Sequence, residues 1–134
     1  MLLTPELRER LLANGRQRDV DHFPVVRFFN PVGAGTWLAT ELDEDGDVLF
    51  GLADLGFGCP EVGSFSLSEL QGIRLPFGMA VERDLLFVGR LRLSTYAEAA
   101  CAAGSIPKAE LILEAAADDQ PRAGSCAGER EGES

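Results

Sequence analysis

Eight carboxylates and no basic side chain fall between residues 41 and 70, and they are the groups best suited to chemistry in this chain. Glu41, Asp43, Glu44, Asp45, Asp47 and Asp54 crowd into fourteen residues, and Glu61 and Glu69 follow. Carboxylates at this density serve paired acid–base catalysis, divalent-metal binding, or long-range attraction of a basic partner. Spacing separates the three. Asp43-x-Asp45-x-Asp47 has the opening of a calcium loop, with Asp54 at the twelfth position. Val48, however, stands where that loop needs glycine for its sharp turn, and strand pattern replaces the exiting helix. A metal-dependent hydrolase or nuclease would need Asp54, Glu61 and Asp84 to converge on one ion. That is the alternative to a purely electrostatic role.

Acid–base pairing depends on the hairpin that carries the acids. Asp45-Gly46 favours a two-residue turn, which sets Glu44 against Asp47, Glu41 against Phe50 and Trp37 against Asp54. A five-residue loop, 43–47, instead pairs Leu42 with Val48, Thr40 with Phe50 and Leu38 with Leu52. The longer loop is favoured, because it avoids like charges directly across the ladder and gives a cleaner apolar face. In that register Glu41 and Asp54 point to opposite faces; in the other they share a face about 13 Å apart. Neither arrangement brings them within the roughly 5–10 Å of a glycosidase pair. No catalytic residue is assigned.

Other candidates have ordinary explanations. Gly56-Phe57-Gly58 lacks the ending of a phosphate-binding loop and the helix that follows a dinucleotide fingerprint, so no cofactor is expected. Cys59 has only His22 to activate it, and Ser64, Ser66 and Ser68 stand at a helix start where capping explains them. Cys59, Cys101 and Cys126 have no metal-ligand spacing; the first two read as small core residues and the third as a tail thiol.

The elements that must position these groups are legible in part. Thr4-Pro5-Glu6 opens a helix that Asn14-Gly15 closes with left-handed geometry. Strands are expected at 25–29, 36–42 and 48–54, an irregular loop at 55–63, and a short helix at 67–72 behind the capping box Ser66–Glu69. A fourth strand is expected at 80–88, a helix capped by Thr95 and Glu98 through 103, and a last helix at 107–117. The order predicts an α+β fold: an antiparallel sheet of about four strands with N-terminal, central and C-terminal helices. Trp37 shares its face with Ala39, Gly51 and Ala53, a strip that the alanine-rich helix at 95–103 is expected to cover. A shallow groove in which Trp37, edged by Glu41 and Asp54, meets a partner is the sharper reading.

Length and charge bound the function. The 134 residues suit one domain, read as 1–117, followed by a disordered acidic tail, 118–134. The net charge of −10 argues against a nucleic-acid surface. The arginines of the N-terminal stretch (Arg8, Arg10, Arg16, Arg18) are offset by Glu6, Glu9, Asp19 and Asp21. No apolar run approaches the roughly 20 residues of a membrane span, and no export signal opens the chain, so a cytoplasmic setting is expected.

Residues 24–103 resemble a family of short proteins found on plasmids and integrating conjugative elements, known as a domain of unknown function. The resemblance rests on Phe29-Asn30-Pro31, Gly35-Thr36-Trp37-Leu38-Ala39-Thr40-Glu41, Asp45-Gly46-Asp47 and Phe50-Gly51-Leu52-Ala53-Asp54-Leu55-Gly56. It continues through Cys59-Pro60-Glu61-Val62-Gly63, Ser66-Leu67-Ser68-Glu69-Leu70, Val81-Glu82-Arg83-Asp84 and Ser94-Thr95-Tyr96-Ala97. It implies a cytoplasmic bacterial protein carried by mobile DNA and transfers no catalytic residue. The resulting expectation is a non-enzymatic accessory protein. Trp37, Glu41, Asp43, Glu44, Asp45, Asp47, Asp54 and Glu61 would present an acidic surface to a basic protein partner, as a DNA mimic or regulator does.

Overall fold

The computed structural model describes residues 2–119. Four strands follow one another as an antiparallel meander, β1 (Val26–Phe29), β2 (Thr36–Leu42), β3 (Val48–Asp54) and β4 (Glu61–Ser66). The chain then crosses to the far edge through helix α2 (Leu67–Gly72) and a 3-10 turn at Pro76–Gly78. There it adds β5 (Glu82–Arg83) against β1, giving the order β4-β3-β2-β1-β5. Helix α1 (Pro5–Gly15) precedes the sheet, and α3 (Leu93–Ala103) and α4 (Ile106–Asp119) follow it. The fold is α+β with five antiparallel strands rather than four. The added strand is β4, whose first half, 61–63, falls in the expected loop. Gly63 is tolerated there because β4 is an edge, where a missing side chain costs little packing. The expected fourth strand contracts to two residues, because Asp84 turns its carboxylate onto the Leu86 N–H (3.0 Å) and ends the ladder.

Neither expected hairpin register holds along the whole ladder; each describes half. Trp37 faces Ala53, Leu38 faces Leu52 and Ala39 faces Gly51, as in the five-residue-loop register. Beyond Ala39 the pairing shifts by one, so that Glu41 faces Phe50 and Leu42 faces Leu49, as in the other. Thr40 is the extra residue, a β-bulge. Its hydroxyl donates to the Phe50 carbonyl (3.1 Å), and its own carbonyl accepts from Asn14 Nδ2 at the end of α1 (2.9 Å). The Asp43 N–H donates to the Val48 carbonyl (2.8 Å), closing a four-residue loop, 44–47.

The two sheet faces carry separate cores. On one, Trp37, Ala39, Leu42, Leu49, Val26 and Phe28 pack with Leu3 and Leu11 of the N-terminal segment and Leu67 and Leu70 of α2. On the other, Leu38 and Leu52 pack with Leu93, Tyr96, Ala100, Ile106 and Ala109 of α3 and α4. The Trp37 strip is thus covered by α1 and α2, not by the alanine-rich helix, which takes the opposite face. Small residues are needed on that strip for close backbone approach. A Cβ on Gly51 would fall 1.8 Å from the Leu38 carbonyl oxygen, and one on Gly15 would fall 2.4 Å from that of Leu42. Gly15 therefore serves contact between α1 and β2, and α1 ends at Arg16 in right-handed geometry rather than left-handed.

Helix caps also depart from the local reading. Asp21, 73 residues away in sequence, accepts from the Ser94 N–H (3.2 Å) and hydroxyl, so α3 starts at Leu93 rather than behind Thr95. Helix α4 runs to Asp119, two residues into the segment read as tail; the remainder of that segment, with Cys126, lies outside the described residues. Cys59 and Cys101 are exposed, on the loop before β4 and on α3, not in a core. Replacing Gly51 with alanine is expected to cost about 3 kcal/mol or more, because the clash is with backbone that cannot move aside. Equilibrium urea unfolding checks this; a loss under about 1 kcal/mol would contradict the packing described.

Candidate functional site

The hairpin acids are largely engaged by their own fold. Asp45 Oδ1 accepts from the N–H groups of Asp47 (2.8 Å) and Val48 (3.0 Å), shaping the turn. Asp47 caps α2: its two oxygens accept from the Ser66 hydroxyl (2.7 Å) and the Ser68 N–H (2.8 Å). These bonds, the Ser66 hydroxyl foremost, hold the Asp47 carboxyl below the usual aspartate range. Asp43 pairs with Arg18, and Glu44 lies 3.8 Å from Arg16 in an exposed contact worth little on its own. Arg8 donates to the Gly46 carbonyl (3.3 Å). Arg8, Arg16 and Arg18 therefore back the acidic hairpin rather than forming a surface of their own, while Arg10 stays exposed on α1.

The three carboxylates that a metal site would require do not meet. Asp54 is 3% exposed, with one oxygen accepting from the Gly56 N–H (2.9 Å) and the other from the Ile106 N–H at the start of α4 (2.9 Å). It ties the end of β3 to the last helix. Glu61 is exposed on β4, and Asp84 lies beside β1 and β5, with its N–H donated to the Arg27 carbonyl (2.8 Å) and its carboxylate 3.7 Å from the Arg27 guanidinium. Four strand spacings, about 19 Å, separate Glu61 from Asp84. No cluster of three potential metal ligands occurs among the described residues. Trp37, at 7% exposure, is a core residue with no surface to offer.

Glu41 is different. The Thr40 bulge turns it onto the α3 side of the sheet, the same face as Asp54. Because it stands opposite Phe50, about 13 Å of strand separates the two, too far for an acid–base pair. It is 7% exposed, and its carboxylate has no hydrogen-bond or ion-pair partner among the described residues. It lines a cavity of about 170 Å³ whose wall is mixed: Val20, Phe50, Val62 and Leu93 are apolar, and Arg18, Asp21 and His22 are charged or polar. Desolvation pushes its carboxyl above the usual glutamate range, against a smaller opposing pull from His22 and Arg18. Sequence reasoning placed Glu41 among the binding residues but had no means of seeing the cavity, which needs the register shift and the 18–22 link together.

A larger cleft, about 780 Å³, escaped sequence reasoning altogether. It lies between the segment after β5 and α4. At its floor Arg27 makes a two-pronged ion pair with Glu110 (2.9–3.1 Å), both side chains being mostly buried. The Arg27 guanidinium also rests 5.6 Å from the Phe29 ring centre. Leu86 and Leu111 on the rim are 90% and 68% exposed. Arg27, Asp84 and Glu110 satisfy one another and make the floor a joint, whereas Arg90 and Glu114, which also line the cleft, form no ion pair among the described residues. The only early signal was an arginine inside an otherwise apolar strand.

Residues 2–107 match the model of a family described as a protein of unknown function (DUF2958). No curated protein and no solved structure matches the chain. Among the described residues, no helix is long and apolar enough to cross a membrane.

Asp54→Ala is expected to lower unfolding stability by about 2 kcal/mol, since it strands two N–H groups; Asp54→Asn, which keeps an acceptor, is expected to lose less. Urea midpoints for both variants check this. The raised Glu41 carboxyl means the folded state binds its proton more tightly than the unfolded chain does. Stability is therefore expected to fall as pH rises from the ordinary glutamate range through the raised value. Asp47 acts oppositely and lower: its contribution is present above the ordinary aspartate range and lost as pH falls below it. Thermal unfolding across pH should show the upper window vanish in Glu41→Gln, with neutral-pH stability unchanged or higher; a window that persists contradicts the assignment.

Proposed function

The chain belongs to the DUF2958 family, and from that premise we propose that it is a non-enzymatic binding protein whose acidic sheet edge engages a basic protein partner. The observation that carries this reading is topological. The segment 41–70, with its eight acids and no base, folds as one contiguous edge, the end of β2 with β3, β4 and α2. Of its acids, Glu44, Asp45, Glu61 and Glu69 remain exposed. The opposite edge, β1 and β5, carries Arg27 and Arg83 together with Glu82 and Asp84, so its charges offset one another. A charge asymmetry of this kind speeds encounter with a cationic surface and sets orientation. A role as an accessory protein of a plasmid or conjugative element in a bacterial cytoplasm, as a DNA mimic or regulator, is supported by the motif resemblance over 24–103. The dispersal of Asp54, Glu61 and Asp84 counts against metal-dependent hydrolysis.

Retention of host-lysate proteins on the immobilised chain at low and high salt tests the reading. Capture is expected to weaken steeply with salt. It is expected to disappear in the triple reversal Glu44→Lys, Glu61→Lys, Glu69→Lys, none of which enters a core. Capture indifferent to both salt and reversal would contradict it.

A further inference from the structure

A carboxylate buried without a counter-ion is costly and calls for a reason. Around Glu41 most of the other polar groups have partners. Asp21 caps α3 through Ser94, the Thr40 hydroxyl donates to Phe50, and His22 Nε2 is bonded to the Gln17 carbonyl (2.8 Å). Arg18, the nearest permanent cation, is turned to the Gly15 carbonyl (3.1 Å) and to Asp43. Glu41 is the acceptor left over, and it faces a cavity of about 170 Å³.

We propose that this cavity is a socket for one basic side chain of the partner protein, a lysine or arginine whose cationic head meets Glu41. The proposal rests on the acidic-edge reading and names the contact that would give that edge its specificity. The dimensions fit. At about 30 Å³ per water the space holds five or six waters, enough for an ammonium or guanidinium head and far too little for a nucleotide. The walls fit as well. Val20, Val62 and Leu93 offer apolar surface to an alkyl stem, and the Phe50 ring is available to the charge. Arg18 and His22 also line the cavity, but Arg18 is committed to Asp43 and the Gly15 carbonyl, so an anion would face the Glu41 and Asp21 carboxylates; a divalent metal would find a single free carboxylate where it needs six or more oxygens. The chemistry selects a monovalent organic cation.

The test uses the full chain and two small probes, Nα-acetyl-lysine methylamide and its uncharged norleucine analogue, followed by NMR. The lysine probe is expected to shift the Glu41 carboxyl carbon and the Phe50 and Leu93 signals saturably, and the norleucine probe is expected not to. Glu41→Gln, which removes a charge that the fold does not use, is expected to stay folded and to weaken the lysine probe at least about tenfold. The triple surface reversal at 44, 61 and 69 should leave probe binding within about threefold. No saturable shift, an equal response to norleucine, or undiminished binding by Glu41→Gln would overturn the socket. The two readings fail separately. Lysate capture that is lost on surface reversal but survives Glu41→Gln overturns the socket alone. Probe binding that obeys Glu41, with capture indifferent to salt, overturns the acidic edge alone.

Discussion

One extra residue in the middle of β2 decides which side chains this protein buries and which it leaves available. A β-strand alternates its side chains with a period of two, so inserting Thr40 between the Ala39 and Glu41 pairings exchanges the faces of everything beyond it. Without the bulge, Glu41 would point into the apolar core beneath α1, and Leu42 would point away from it. With it, Leu42 is buried under α1 and Glu41 emerges on the far side beside Phe50. The bulge is held from two directions, by the Thr40 hydroxyl on the partner strand and by Asn14 from the end of α1. Gly15 and Gly51 allow the close approaches that this requires.

Much of the acidity has a structural role. Asp21 starts α3, Asp47 starts α2 and Asp54 holds the first N–H of α4, each from a distant part of the chain. A carboxylate at a helix N-terminus is favourable because it accepts from otherwise unpaired N–H groups and complements the helix dipole. Counting acids therefore overstates the surface on offer to a partner. The exposed remainder on the edge formed by β3, β4 and α2 is smaller, but it is gathered on one side.

How far the sequence spoke can be traced residue by residue. Strands 36–42 and 48–54 and the helix at 67–72 were legible, because alternation, the Asp-Gly turn and the Ser66–Glu69 spacing are local signals. The bulge was not, since both candidate registers had merit and only the packing of α1 on β2 lets each hold over half the ladder. The strand at 61–66 was obscured by glycine and proline just before it. Which helix covers Trp37 depended on tertiary order, which no periodicity encodes. At the site, Glu41 was named for its charge, as part of a surface, and its burial was not foreseen. Asp54 was named for a surface that it does not reach, because its partner Ile106 lies 52 residues away.

The register of the β2–β3 ladder bears most directly on all of this. Interstrand backbone NOEs in the labelled protein report it without reference to any partner. The structure requires contacts for Ala39 with Gly51 on one side of Thr40, and for Glu41 with Phe50 and Leu42 with Leu49 on the other. A continuous ladder showing Thr40 with Phe50 and Leu42 with Val48 would remove the bulge, return Glu41 to the α1 face, and contradict the account at its root.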